Sequence, residues 1–174
     1  HIRTPEDWKN VRFPGRKSLI FKKLEDVLKE ILDITGHDAL TFHTMFGPLK
    51  TAVQTYGYDL VMAHCAEAPE MVADAIRRIA EAQTEWAAGF IEAGADGLFF
   101  SGQFSEPGRF TREEFDKLCS FADLIVLNAA EEAGARNILH ICGEPDYDFA
   151  SNPKWYVDYP FAIVNWSVKD TGIS

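Results

Sequence analysis

Apolar residues recur along this chain at two spacings, and the switching between them predicts its architecture. Over 17–34, Ile20, Leu24, Val27, Leu28, Ile31 and Leu32 return every three or four residues, the period of one helix face, and Gly36 is placed to end that helix. Ahead of it, Thr4 and Pro5 suit the N-cap and first position of a short helix. Residues 38–43 read as a short strand, and Gly47-Pro48 starts an aromatic-containing helix through Tyr56. Pro69 and Glu70 open a long helix to about Ala93, whose buried face carries Val72, Ile76, Ile79, Ala80, Trp86 and Phe90; Gly94 follows it.

The second half repeats the alternation. Asp96-Gly97-Leu98-Phe99-Phe100-Ser101 is a strand, and Thr111-Arg112-Glu113-Glu114 has the form of a capping box for a helix reaching Ala133-Gly134. Residues 137–142 form a third strand. Ala162-Ile163-Val164-Asn165-Trp166 forms a fourth, reached through a polar, proline-containing and partly helical connection. A helix, three strand-helix repeats and a closing strand imply a parallel sheet covered by helices. Four such units fall short of the eight that close a barrel. The expected fold is therefore α/β, of the parallel (β/α)8 TIM-barrel type but present only as about four βα units, with 1–174 as a single partial domain.

Composition narrows the function classes. Of 174 residues, 47% are hydrophobic, enough for a packed core. The formal net charge of -10 disfavours nucleic acid and anionic membrane as partners, because both need clustered Lys and Arg. Cys65, Cys119 and Cys142 are an odd number with no dense framework, which fits a reducing, cytoplasmic setting. No run approaches the ~20 apolar residues of a membrane span, and the first residues carry no signal-peptide pattern. The lack of an initiator Met and the ending at Gly172-Ile173-Ser174 lead us to expect a segment of a longer polypeptide.

Candidate chemistry gathers where strands end at their carboxyl edge, the usual place for sites in parallel α/β folds. Four predicted strand ends carry polar groups: His43 with Thr44 and Met45, Ser101 with Gln103, His140 with Cys142, and Asn165 with Trp166. Buried polar groups need partners, and a shared pocket would supply them. Residues two apart on a strand point the same way, so His140 and Cys142 form a two-ligand platform suited to zinc. The plainer reading is a hydrogen-bonded histidine beside a small buried thiol. Glu144 is placed to act as an acid or base nearby, against the plainer reading of a solvated carboxylate.

Other candidates carry less. His64 and Cys65 are adjacent and diverge on a helix, so they read as packing or loop residues. Cys119, near Phe115 and Leu118, reads as core, and His37 with Asp38 as a turn. Gly94-Ala95-Asp96-Gly97 precedes a strand and so fails as a dinucleotide loop, and no Gly-x-Ser-x-Gly elbow occurs.

Together, Thr41-Phe42-His43-Thr44-Met45-Phe46-Gly47-Pro48, Ala68-Pro69-Glu70, Glu92-Ala93-Gly94-Ala95-Asp96-Gly97, Ile138-Leu139-His140-Ile141-Cys142-Gly143 and Val164-Asn165-Trp166 resemble the uroporphyrinogen decarboxylase superfamily from about Thr4 to Ser174. The resemblance implies a (β/α)8 barrel lacking its first and last strands here. It also implies one of two chemistries. The decarboxylase branch, carboxy-lyases of porphyrin and heme biosynthesis, uses no cofactor and relies on an aspartate and an arginine-rich loop of the barrel's amino-terminal part. Nothing matches these here, and only Arg109 and Arg112 lie near a strand end.

The methyltransferase branch carries an H-x-C pair and a later Cys that together hold zinc. His140 and Cys142 match the pair, and no cysteine follows Cys142 in this chain. The resemblance thus implies zinc-dependent methyl transfer from a methyl-corrinoid to a thiol acceptor. His140 and Cys142 would be the metal ligands, while His43, Ser101, Gln103, Asn165 and Trp166 would line the substrate pocket or orient ligands. Implied partners are a small-molecule substrate and a corrinoid protein. Decarboxylation and a non-catalytic binding module are the alternatives.

Overall fold

A computed structural model describes residues 1–36 and 38–172; the expected turn at His37 and the terminal Ile173 and Ser174 lie outside the described residues. The chain opens with a 3-10 helix, Pro5–Asn10, whose Thr4 and Asp7 make a capping box. Helix α1 spans Leu19–Thr35, its start capped by the Ser18 hydroxyl and its end set by Gly36. It packs through Phe21, Leu28 and Leu32, with the Phe21 ring 4.9 Å from that of Phe90. Ile20, Val27 and Ile31, expected on the buried face, are 53%, 52% and 43% exposed. The helix carries two neighbouring apolar stripes, and only the one holding Phe21 meets another helix.

Strand β1 spans Phe42–Phe46, later than the expected 38–43. Pairing begins where the neighbouring strand begins, with Phe42 opposite Gly97, and the Asp96 carboxylate takes the Thr41 N–H at 2.7 Å just before it. Helices α2 (Pro48–Tyr56), α3 (Tyr58–Glu67) and α4 (Pro69–Glu92) follow. Helix α3 is a separate element that the residue pattern alone did not distinguish; Gly57 breaks it from α2. All six residues predicted for the buried face of α4 are buried. In α3, His64 serves packing as expected, accepting the Trp8 Nε1–H at its Nδ1 at 3.0 Å.

Strand β2 is Gly97–Gly102. The Thr111 capping box starts α5, Arg112–Phe115, which continues through a π-helical stretch, Asp116–Ser120, into α6, Phe121–Glu132. Cys119 is buried there, as expected. Strand β3 is Ile138–Ile141 and β4 is Ile163–Trp166, joined through 3-10 turns at Pro145–Tyr147 and Pro153–Tyr156; α7, Val168–Thr171, follows. The four strands are parallel in the order β1-β2-β3-β4.

The two faces of this sheet differ. Leu98, Phe100, Leu139 and Ile141 alternate onto the face beneath the helices and are almost wholly buried. The opposite face, with Thr44, Phe99, Ser101, Ile138, His140, Ile163 and Asn165, carries no helical layer among the described residues: Thr44 and Asn165 are exposed, and Ile163 is 53% exposed. Among the described residues, no helix is long and apolar enough to cross a membrane.

Candidate functional site

The helix-free face assembles part of the expected site. In the register of the sheet, His140 lies between Ser101 on β2 and Asn165 on β4. Its Nδ1 is 2.8 Å from Asn165 Oδ1, and its ring stacks on Phe99 with centroids 5.4 Å apart. Because an amide oxygen accepts, Nδ1 is the donor in this bond, and Nε2 is the ring nitrogen outside it. Cys142 continues the alternation, since its N–H still pairs with Gly102 O at 2.9 Å, so its side chain falls on the His140 side. The half-buried thiol makes one weak contact, Sγ to Gly143 O at 3.6 Å. Burial, reinforced by the nearby Glu144 carboxylate, holds its pKa above the usual thiol value.

Behind this pair, Ser101 and Gln103 are buried and joined, Gln103 Nε2 donating to Ser101 Oγ at 3.1 Å. The Gln103 Oε1 has no hydrogen-bond partner among the described residues. Glu144 accepts from Lys50 Nζ of α2 at 2.7 Å, and its own N–H donates to Glu106 Oε1 at 3.0 Å. The carboxylate expected to act as acid or base is therefore an ion-paired group tying the segment after β3 to α2.

Two expected pocket residues lie elsewhere. His43 is the second residue of β1, near its amino end, and lies on the helix-covered face with its ring stacked on Phe90 at 3.6 Å. Burial lowers its pKa to about 4, so it packs as a neutral aromatic ring. Trp166 does end its strand, but on the face opposite Asn165, lining an apolar recess of about 250 Å³ with Ile141, Tyr156 and Phe161. Of the residues expected at four strand ends, the register puts Ser101, His140 and Asn165 on one face and His43 and Trp166 on the other, while Ser101 and Gln103 also line a small recess with Lys50, Cys119 and Asp123.

The family model for uroporphyrinogen decarboxylase (URO-D) matches residues 1–158. The chain belongs to the uroporphyrinogen decarboxylase family. Among solved structures, a methyltransferase from Methanosarcina mazei has the same fold, with a TM-score of 0.70 at 19% identity over 92% of this chain and 46% of that one. The chain spans about half the length of that structure, and its four parallel βα units are a portion of the TIM-barrel-like URO-D domain. No curated protein matches the sequence.

Within this portion of a URO-D barrel, the helix-free face corresponds to the barrel's interior side, where strand-end chemistry collects. His140 and Cys142 fit zinc in donor type, and the Asn165 contact is the kind of outer hydrogen bond that fixes a ligating imidazole. The number of donors falls short: among the described residues, no group of three His, Cys, Asp or Glu side chains could hold a metal.

Residue patterns missed three groups around this site. Lys50 follows the Gly47-Pro48 helix start, where nothing marks it as the partner of Glu144. Glu106 lies in an irregular loop, yet its side chain is fully buried. Asp123 was detectable: it sits in the stripe Cys119, Ala122, Val126, Leu127 and Ala130, so helical periodicity alone places a carboxyl on a buried face.

Proposed function

We propose that this chain supplies about half of a URO-D family barrel that catalyses zinc-dependent methyl transfer from a methyl-corrinoid to a thiol, with His140 and Cys142 as two of the zinc ligands and a further donor from outside the chain. One observation carries the reading: strand alternation puts His140 and Cys142 on the helix-free face, and Asn165 Oδ1 engages His140 through Nδ1, leaving Nε2 as the ring nitrogen outside that bond. Bound there, zinc would keep the acceptor thiol as thiolate at neutral pH, the nucleophile that methyl transfer needs. The residues of the chain do the positioning. Asn165 and Phe99 orient the imidazole from two sides, while Ser101 and Gln103 present polar groups behind it. The Lys50-Glu144 ion pair anchors the segment that carries Cys142.

The Methanosarcina methyltransferase that shares this fold makes methyl transfer the first reaction class to assay. The decisive measurement is the zinc content of the full-length protein beside its His140→Ala and Cys142→Ala variants. Both variants are expected to lose the metal, and unchanged zinc in both would end this reading.

A further inference from the structure

Away from the strand ends, unmet buried polarity concentrates at Arg109. Its side chain is 3% exposed, and among the described residues neither Nε nor Nη1 has a hydrogen-bond partner. Glu106, fully buried, brings Oε2 to 3.5 Å from Nε, within ion-pair range but without hydrogen-bond geometry. The other Glu106 oxygen is engaged by the Glu144 N–H. The guanidinium is therefore balanced in charge but short of acceptors. Three rings pack around it, Tyr147 at 4.2 Å, Phe104 at 5.1 Å and Tyr58 at 5.5 Å from its central carbon.

Arg109 also lines a cavity of about 230 Å³ between α3, the start of the α5 helical run and the turn at Tyr147, and no strand residue contributes to its wall. The hydroxyls of Tyr58 and Tyr147 stand 3.5 Å apart. Met62, Cys65, Phe110 and Leu118 supply apolar surface. Burial pushes the Tyr58 pKa up to about 12, so this hydroxyl keeps its proton for donation. A buried donor without an acceptor costs about 1–3 kcal/mol, and a planar guanidinium matches a carboxylate better than any other side chain does.

We propose that this cavity binds a small monocarboxylic acid with an apolar body, its carboxylate met by Arg109 and the Tyr58 and Tyr147 hydroxyls, its hydrocarbon against Met62, Cys65, Phe110 and Leu118. Glu106 beside the guanidinium and the exposed Glu114 at the cavity edge repel a phosphate dianion more strongly than a single negative charge. The site is separate from His140 and Cys142 and requires no metal.

The test is calorimetric titration of the full chain with acetate, butyrate and benzoate, with benzyl alcohol and inorganic phosphate in parallel. At least one of the two acids with an apolar body binds saturably at one equivalent, and benzyl alcohol binds at least about tenfold more weakly than benzoate. Tyr58→Phe and Tyr147→Phe keep their rings over Arg109 and weaken the bound acid by roughly three- to tenfold each. Arg109→Gln abolishes binding. Because that variant also strips Glu106 of its countercharge, thermal unfolding is recorded for every variant, and the tyrosine variants decide the matter if it fails to fold. Three results would overturn the proposal: no acid binds the folded chain, benzyl alcohol matches benzoate, or both tyrosine variants bind as well as the parent. Phosphate displacing the acid would replace it with a general anion site. None of these readouts depends on zinc or methyl transfer, so the two proposals fail independently.

Discussion

Asp123 makes the stability of this chain depend on pH in a direction opposite to that of most carboxylates. It is 4% exposed on the core side of α6, and burial pushes its pKa from 3.8 up to about 8. The Tyr159 hydroxyl donates to its Oδ2 at 3.0 Å, which favours the charged form, but desolvation outweighs that bond. The fit is close: a Cβ added at Gly47 would lie 2.4 Å from Oδ1. The folded chain thus keeps a proton at neutral pH that the unfolded chain releases near pH 4. With the native pKa raised, this contribution to stability is complete below pH 3.8, declines as pH rises toward 8, and is constant beyond. A span of about four pH units at ~1.4 kcal/mol each sets an upper limit of roughly 6 kcal/mol.

Asp123→Asn preserves the shape and an oxygen for Tyr159 while removing the titration. Urea unfolding of both proteins from pH 5 to 8 is the assay, and the difference between them cancels the other titrating groups. The variant is expected to gain on the parent progressively with pH, by roughly 2–4 kcal/mol between pH 5 and 8. A pH-independent difference, or a gap that narrows as pH rises, would show that the carboxyl is ionised in the folded chain and refute the reasoning.

Three further predictions rest on single contacts. The half-buried His43 has its pKa lowered to about 4, so its contribution is complete above 6.5 and is lost as pH falls toward 4; His43→Phe, keeping the stack on Phe90, should flatten the acid limb of a stability-pH curve. His64→Leu leaves the buried Trp8 Nε1–H without its acceptor and should cost about 1–3 kcal/mol by urea unfolding, with part recovered in the double variant with Trp8→Phe. Asn165→Ala frees the His140 ring, and under the zinc reading it should lower the metal affinity of the full-length protein by about 10–100-fold in competition with a chelator.

Most of the architecture was legible because helix and strand periods are written directly in side-chain hydrophobicity. The buried face of α4, the Thr111 cap and the parallel order of the strands all followed from local pattern. The limits of β1 did not, because the pairing of Phe42 with Gly97 is a long-range fact that the run 38–43 does not contain. Nor did the outward stripe of α1: Ile20 and Val27 carry the same signal as Phe21 and Leu28, and only the position of α4 separates them. The buried Arg109 and Glu106 sit in irregular chain, where no period marks which side is inside.

The candidate site was half legible for the same reason. Strand-end position located chemistry along the chain, but the side of the sheet depends on register, and a shift of one residue exchanges the faces. His140 and Asn165 fall on one face because β3 and β4 lie almost where their apolar runs predict, with His140 directly opposite Asn165. A strand over 38–43 would end at His43; with β1 running from Phe42 to Phe46, His43 is instead a half-buried ring at the strand's amino end. Trp166, one residue past Asn165, turns to the helix side by the same alternation. The selection among the strand-end residues is therefore made by parity: His140, Cys142 and Asn165 share the face that no helix covers, so whatever completes this site must approach from that face.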